Sequence, residues 1–233
     1  MPTIVVASSK GGVGKTTLAI LLSSELARQG KDKGIYVSLI DADPNQHSAR
    51  WASRDGCPEN IKLKKGSNEE TIIDDIESAV EESAFVIVDL EGTASMAVAS
   101  AISRADLVII LCQGSDDDAV EAVKTFKMIG RQGKVLQREI PSVALFTRKS
   151  AAITSRTFKH YYNEIVNAGI EVFDTVLIER DPYKAVKSFG STLHDLDPKD
   201  VGIAGTKKAI AEVHKLTEEV KIRLKQIISK GEG

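Results

Sequence analysis

The 233 residues of this chain suffice for one α/β domain with a full core, but not for two domains of ordinary size. A content of 42% hydrophobic and 27% charged residues excludes a disordered chain, and no apolar run approaches the roughly 20 residues that span a bilayer. The net charge of −2 hides an asymmetry: residues 122–163 carry nine basic side chains and one acid, whereas the rest carries 22 basic and 32 acidic residues.

The N-terminal sequence and the number of cysteines indicate the cellular compartment of the protein. Thr3 opens a strand-like run with no basic region ahead of it, so we expect no signal peptide. The two cysteines, Cys57 and Cys112, suggest no disulfide framework. Together these features favour a cytoplasmic protein.

Strand-like and helix-like segments alternate along the whole chain. The predicted strands are 3–8, 34–40, 61–64, 85–89, 107–112, 142–146 and 171–177. The predicted helices are 15–29, 44–52, a helix through 80 capped by Asn68, 118–130, 154–168, 182–189 and 206–228. This alternation predicts an α/β fold with a mostly parallel twisted sheet and helices on both faces. No linker or repeat interrupts it, so we expect a single domain over residues 1–233.

The segment between the first strand and the first helix is rich in glycine. It reads S-S-K-G-G-V-G-K-T-T over residues 8–17. A strand before it and a helix after it form the setting of a phosphate-binding loop, in which backbone N–H groups and the helix N-terminus surround an anion. In that interpretation Lys15 reaches the β- and γ-phosphates and Thr16 offers its hydroxyl to Mg²⁺. The general pattern G-x-x-x-x-G-K-[ST] fails only at Ser9. The alternative is a glycine-rich turn without a ligand.

Residues 10–17, K-G-G-V-G-K-T-T, resemble the deviant Walker A motif of the ParA/MinD superfamily. The resemblance implies a single-domain P-loop NTPase fold and an ATPase that uses ATP and Mg²⁺. It implies that Lys10 is the signature lysine, which crosses an ATP-dependent homodimer to the partner subunit's nucleotide. Without the motif, Lys10 would be a solvated loop charge. The residues implied in nucleotide binding are Lys10, Gly11, Gly12, Val13, Gly14, Lys15, Thr16 and Thr17.

Three aspartates lie at or just beyond the carboxyl ends of predicted strands, where ligands bind in open α/β sheets. Asp41 and Asp43 lie in D-A-D-P-N-Q, and on their own they would equally be helix caps before Pro44. The segment resembles the second nucleotide motif of the superfamily, which implies that Asp41 belongs to the magnesium network and Asp43 positions the attacking water. Asp89 ends an apolar strand, as in a Walker B motif, and is a predicted ligand of Mg²⁺ together with Thr16 and Asp41.

The resemblance continues more weakly toward the C-terminus. Asp118 occupies the position of an aspartate usual in the family, and residues 144–148 resemble the short ParA proteins. Residues 178–190 resemble the loop and helix that enclose the nucleotide base, which implies that Arg180 and Asp181 lie near adenine.

The basic middle segment has two interpretations. It is either a solvated face or a surface that binds DNA nonspecifically through phosphates, as the family resemblance implies for the ATP-bound dimer. The DNA-binding candidates are Arg148, Lys149, Arg156 and Lys159. The last helix carries an apolar stripe at spacings of three and four, which we expect to pack on the sheet. A membrane-bound helix is the alternative, disfavoured because the stripe lacks Phe and Trp.

The sequence therefore favours an ATP-driven dimerisation switch in plasmid or chromosome partition. We expect nonspecific DNA and a centromere-binding ParB-like adaptor as partners, a nucleoid-associated location in the cytoplasm, and no membrane. The first alternative is a related ATPase that positions a protein or a conjugative-transfer cargo at the cell pole or membrane. An ATP-dependent ligase or amidase is disfavoured, because those enzymes usually lack a lysine at the position of Lys10.

Overall fold

The computed structural model describes residues 1–92, 95–147, 155–197, 199 and 202–231. Within these residues seven strands form one sheet, in the order β3-β2-β4-β1-β5-β6-β7, and every strand pairing is parallel. The strands are β1 (Thr3–Ala7), β2 (Val37–Ala42), β3 (Ile61–Lys65), β4 (Phe85–Leu90), β5 (Leu107–Cys112), β6 (Ser142–Phe146) and β7 (Glu171–Val172). The predicted parallel α/β fold is confirmed.

The helices cover both faces of this sheet. They are α1 (Lys15–Gly30), α2 (His47–Ala52), α3 (Ile72–Glu82), α4 (Met96–Ser103), α5 (Asp116–Leu136), α6 (Ser155–Asn167), α7 (Asp181–Phe189) and α8 (Ile203–Gly231). Side chains of α1, α2, α7 and α8 share one hydrophobic core, and those of α3 to α6 share the other. Strand residues alternate between the two cores, so that Ile4 and Val6 face α1 whereas Val5 and Ala7 face the opposite layer. Continuous apolar strands follow from burial on both faces.

Several predicted helices have different bounds in the structure, and one observed helix was not predicted. Helix α2 begins at His47, because Gln46 before it has a left-handed φ of 52°. Helix α3 begins at Ile72, so the predicted cap at Asn68 is wrong; the Asn68 side chain instead accepts the N–H of Glu70 at 2.9 Å in the turn before the helix. Helix α5 extends to Leu136, and helix α4 was not predicted.

The predicted strand 171–177 contains only two strand residues. After Val172 the N–H groups of Asp174 and Thr175 donate to the carboxylate of Glu219 on α8, at 3.0 and 3.3 Å. A side chain therefore satisfies two backbone N–H groups at the point where the strand ends.

Helix α8 packs on the domain. Its apolar stripe is buried against the α1 side of the sheet, with Val213, Leu216, Val220 and Leu224 at most 3% exposed. The predicted packing is confirmed for this stripe. No helix in the described part of the chain is both long and apolar enough to cross a membrane.

Candidate nucleotide-binding site

The glycine-rich loop lies where strand β1 ends and helix α1 begins. Gly12 and Gly14 have φ angles of 77° and 106°, in the left-handed region that other L-residues rarely adopt. Gly14 caps α1, and the first turn of the helix contains no acidic residue. The first N–H groups of a helix have no partner within the helix, so this end attracts anions. The local backbone therefore has the form of a phosphate cradle.

Lys15 is held inside this loop. Its side chain is buried, and its ammonium group donates a hydrogen bond to the carbonyl oxygen of Lys10 at 3.1 Å. Burial lowers the pKa of Lys15, while the carboxylates of Asp89, Asp43 and Glu91 raise it. A buried ammonium with one neutral partner is suited to pair with an anion entering the loop.

Asp89 and Asp41 are brought together by strand register. They are directly opposite each other on the adjacent parallel strands β4 and β2, and both are 0% exposed. Side-chain alternation places both carboxylates on the α1 side of the sheet, with Ile87 and Leu39. Burial and the Asp41 carboxylate raise the pKa of Asp89 to about 7.

Asp89 has the features of a cation ligand. Neither of its carboxylate oxygens accepts a hydrogen bond from a described residue, although the hydroxyls of Thr16 and Ser48 lie near enough to offset part of the rise in its pKa. The Ser48 hydroxyl is also buried without a partner among the described residues. Unpaired buried carboxylate oxygens are costly unless a cation or its water satisfies them, so the donor set beside Lys15 and Thr16 fits Mg²⁺.

The carboxylates of Asp41 and Asp43 are engaged by nearby backbone. Asp41 accepts the N–H of Asp43 at 3.0 Å and the N–H of Ala49, in the first turn of α2, at 2.7 Å. Asp43 accepts both the backbone and side-chain N–H groups of Asn45, at 2.8 and 3.0 Å. Asp41 therefore makes a helix-capping contact with α2, which was one of the two interpretations of its sequence position. Each Asp41 oxygen accepts one of these hydrogen bonds and keeps a second lone pair, whereas both bonds to Asp43 go to its Oδ1 and leave its Oδ2 free. The roles predicted for both residues therefore remain compatible with this geometry.

Gly92 allows the loop after β4 to approach the phosphate loop. A Cβ atom at this position would lie 3.1 Å from the backbone of Gly11 and 3.2 Å from the Lys15 ammonium. A larger residue would therefore push against both. No role for Gly92 was predicted, because a single glycine after a strand is a weak signal.

Two consecutive residues of the phosphate loop, Ser9 and Lys10, contact helix α5. The Lys10 ammonium donates to Asp118 at 2.8 Å, which raises the pKa of Lys10, and the Ser9 hydroxyl donates to Glu121 at 2.6 Å. The Ser115 hydroxyl also donates to Asp118. The contacts of Lys10 and Ser9 with α5 join residues more than 100 positions apart, and no local sequence pattern indicates the one between Ser9 and Glu121.

A cleft opens beside the loop between the first turns of α1 and the residues that lead into α7. Its walls include Val13, Gly14, Thr17, Leu18, Thr147, Leu177, Ile178, Arg180 and Tyr183. The buried Thr147 hydroxyl donates to the carbonyl of Val13 at 2.9 Å, which fixes the wall to the loop.

Of the two residues predicted to lie near adenine, only Arg180 lines the cleft. Arg180 lines the cleft, where its guanidinium pairs with Glu212, and Tyr183 donates to the same carboxylate at 2.9 Å. Asp181 does not line the cleft; it is exposed in the first turn of α7. Arg180 therefore remains a prediction in a suitable position, whereas Asp181 is not placed at the cleft.

Two of the four predicted DNA-binding residues lie in the described part of the chain, and neither lines this cleft. Arg148 and Lys149 fall outside the described residues. Arg156 and Lys159 are exposed on α6, which packs beside α5. Helix α5 carries further exposed basic residues at spacings of three and four, namely Lys124, Lys127, Arg131 and Lys134.

Comparisons with known proteins agree with this geometry. A family model described as VirC1 protein matches residues 1–231. Protein ParA of Rhizobium radiobacter is 37% identical over 226 residues, covering 95% of this chain and 100% of the relative. Maintenance of carboxysome distribution protein A of Halothiobacillus neapolitanus is 25% identical over 222 residues, covering 94% and 95%. The solved structure of the MinD cell division protein of Aquifex aeolicus has the same fold, with a TM-score of 0.68 and 18% identity over 94% of this chain and 97% of that chain.

Proposed function

The chain belongs to the VirC1 family, within the ParA/MinD superfamily of P-loop ATPases and close to plasmid-partition ParA, and on that premise we propose that it is an ATP-dependent dimerisation switch in DNA partition. In this proposal the ATP-bound dimer binds DNA nonspecifically, and hydrolysis returns the chain to the free monomer. A ParB-like adaptor at a centromere would set the rate of that return.

One observation carries the proposal. The glycine loop, the buried Lys15 and the unpaired carboxylate of Asp89 converge at the carboxyl ends of β1 and β4. The chain continues from β1 toward β2 on one side and later reaches β5 on the other, so β1 lies where the strand order changes direction. Ligands bind at such switch points in open α/β sheets.

The site residues have complementary tasks in phosphoryl transfer. The N–H groups of residues 11–17 and the ammonium of Lys15 would hold the phosphate oxygens. Thr16 and Asp89 would hold Mg²⁺, with Asp41 in the surrounding network, and the ion when bound neutralises charge that develops on the phosphates. Asp43 would orient the attacking water. Positioning and charge neutralisation are the main requirements of this reaction, so no covalent nucleophile is needed.

Lys10 supports the dimerisation part of the proposal. Its side chain is 43% exposed at the rim of the site, and it reaches Asp118 rather than the interior of its own loop. An exposed ammonium at this rim is available to a nucleotide held by a second subunit. Hydrolysis that needs this contribution would be slow in the monomer.

The charge distribution supports DNA as a partner. Residues Lys127, Arg131 and Lys134 on α5, and Arg156 and Lys159 on α6, form no ion pair with another residue in the described ranges. Exposed unpaired cations on adjoining helices suit the phosphate backbone, which is bound without sequence readout.

Three measurements test this function together. Titration calorimetry with MgATP tests the site, and light scattering with and without ATP tests dimerisation. A DNA co-sedimentation assay with the Asp43→Ala variant, in which turnover should be blocked, then tests whether the ATP-bound dimer is the DNA-binding form. No magnesium-dependent ATP uptake by the purified chain would overturn the proposal.

A positioning ATPase for a protein or conjugative-transfer cargo is the second candidate. The similarity to a carboxysome distribution protein favours it, because that relative is named for the distribution of carboxysomes and not for plasmid partition. Liposomes and DNA, each co-sedimented with the chain and ATP, separate the two: retention on DNA supports partition, and retention on liposomes alone supports positioning at a membrane.

A further inference from the structure

The Ser9 side chain occupies the position of the first glycine in the general P-loop pattern, and α5 holds it. The Ser9 hydroxyl donates to the Glu121 carboxylate at 2.6 Å, and the Thr125 hydroxyl lies 3.4 Å from the same Ser9 oxygen. The other Glu121 oxygen accepts from the Lys124 ammonium at 2.6 Å. Hydrogen bonds from Lys124 and Ser9 lower the pKa of Glu121, so it is ionised at neutral pH. A hydrogen bond to a carboxylate is stronger than one to a neutral acceptor.

Glu121 and Asp118 lie three positions apart and therefore on the same side of α5. Asp118 contacts Lys10 and Glu121 contacts Ser9, so two successive residues of the phosphate loop are attached to one helical turn. Residues 9 and 10 form the entry to the loop, ahead of the left-handed Gly12 and Gly14. The orientation of this entry is thus determined by a distant helix as well as by the loop's own glycines.

We infer that Glu121 is a positioning residue of the phosphate loop, acting through the Ser9 hydroxyl to hold the loop in its nucleotide-binding form. Its role follows from the serine: a glycine at position 9 would have no hydroxyl for Glu121 to hold. The inference rests on the proposed function, because it names a regulator of the same phosphate site.

A double-mutant cycle in nucleotide affinity tests the inference. The variants are Glu121→Ala, Ser9→Gly and the double variant, and the readout is the Kd for a fluorescent ATP analogue with Mg²⁺. Contacting residues couple by amounts that correspond to about fivefold in an equilibrium constant. We expect Glu121→Ala to weaken binding about fivefold in the Ser9 background and to have no further effect in the Ser9→Gly background. Glu121→Gln, which keeps an acceptor oxygen, should restore most of the affinity.

Two further readouts separate positioning from a general loss of structure. Glu218 and Lys221 on α8 form a matched pair at the same spacing, 2.7 Å apart. Glu218→Ala removes a comparable ion pair and should leave the Kd for the analogue unchanged. Glu121→Ala should raise KM while kcat at saturating ATP stays the same, because Glu121 touches neither the water nor the metal ligands.

The possible results show whether the inference about Glu121 fails alone or the proposed function fails with it. If the unmodified chain binds the analogue and the two substitutions weaken binding additively, Glu121 does not act through Ser9 and the inference is overturned alone. An equal loss of affinity in Glu218→Ala would overturn it as well. If the unmodified chain binds no analogue, the proposed function and the inference are overturned together.

Discussion

The ammonium group of Lys10 lies 2.8 Å from the Asp118 carboxylate of its own chain. The residue that the family resemblance assigns to the partner's nucleotide is therefore held in cis in this structure. Asp118 itself is only 4% exposed, and the Ser115 hydroxyl donates to it, so the acceptor is fixed while the lysine is free to leave. Dimerisation through Lys10 has to exchange this ion pair for interactions with the second subunit.

The first prediction concerns this exchange. Asp118→Asn weakens the hold on Lys10 but keeps a side chain that Ser115 can contact. A partly exposed ion pair contributes little, so its loss changes an equilibrium constant by up to about fivefold. Each subunit of the dimer exchanges one such pair, so the ATP-dependent dimer should form up to about 25-fold more tightly, as measured by light scattering across a concentration series. The Kd of the monomer for ATP should not change, and a weaker dimer would show that Asp118 assists dimerisation.

The second prediction concerns the attacking water. Asp43→Ala should lower kcat by about 100-fold or more, the range expected when a positioned side chain is removed from a proton-transfer or water-orienting role. ATP binding should persist, since Lys15 and the loop N–H groups are unchanged, and the ATP-bound dimer should accumulate. Lys15→Ala is the matched control and should abolish nucleotide binding. Normal turnover in Asp43→Ala would assign the water to another residue.

The third prediction follows from the unpaired oxygens of Asp89. Asp89→Asn removes a buried charge that no described donor satisfies, so the nucleotide-free chain in EDTA should unfold at a higher temperature, by roughly 5 °C. The same substitution should remove the extra stabilisation that Mg²⁺ adds to ATP binding. Thermal unfolding with EDTA, with ATP and with MgATP measures both effects. A lower melting temperature in EDTA would mean that the carboxylate is satisfied in the free protein.

The fourth prediction concerns Glu25, a buried carboxylate that connects α1 to α8. Burial would raise its pKa, but hydrogen bonds from Arg28, His214 and Gln29 outweigh burial and lower the pKa to about 2. A carboxyl group whose pKa is lower in the folded state stabilises the fold above its unfolded pKa, near 4.5, and loses that contribution as the pH falls toward 2.

Glu25→Gln tests this pH dependence. The stability lost in the variant should be about 2–3 kcal/mol at pH 5 to 7 and should shrink toward zero as the pH falls to 2. Urea unfolding of both chains across this range measures the difference. Glu77→Gln, in an exposed ion pair with Arg104, should cost no more than about 1 kcal/mol at any pH. A constant difference for Glu25→Gln would mean that the substitution acts through packing rather than charge.

The parts of the fold that sequence predicted well are those fixed by local signals. Residues 107–112 and 142–146 form strands with the predicted bounds, because each is a short run of apolar residues bounded by polar or turn residues. The glycine-rich loop was predicted from its place between β1 and α1. Its left-handed glycines and the burial of Lys15 agree with that prediction.

The remaining features depend on contacts between distant residues. Helix α4 was missed because M-A-V-A-S-A-I-S has no clear polar face, and residues 171–177 lose their strand form to Glu219, which is more than 40 positions away. The bond from Ser9 to Glu121 spans 112 positions. Such contacts follow from how the helices pack on the sheet, and periodicity carries no information about them.

The last prediction concerns the basic face of α5 and α6. Arg156→Glu with Lys159→Glu should weaken nonspecific DNA binding, because fewer phosphates are neutralised and fewer counterions are released. Plotted as log affinity against log salt concentration, the slope should become shallower by about 0.9 for each phosphate that is no longer neutralised. Lys215→Glu, at an exposed position on α8, is the control and should leave the slope unchanged. A weaker affinity with an unchanged slope would indicate that α6 affects DNA binding indirectly, through its packing against α5, and an unchanged affinity would remove these two residues from the DNA surface.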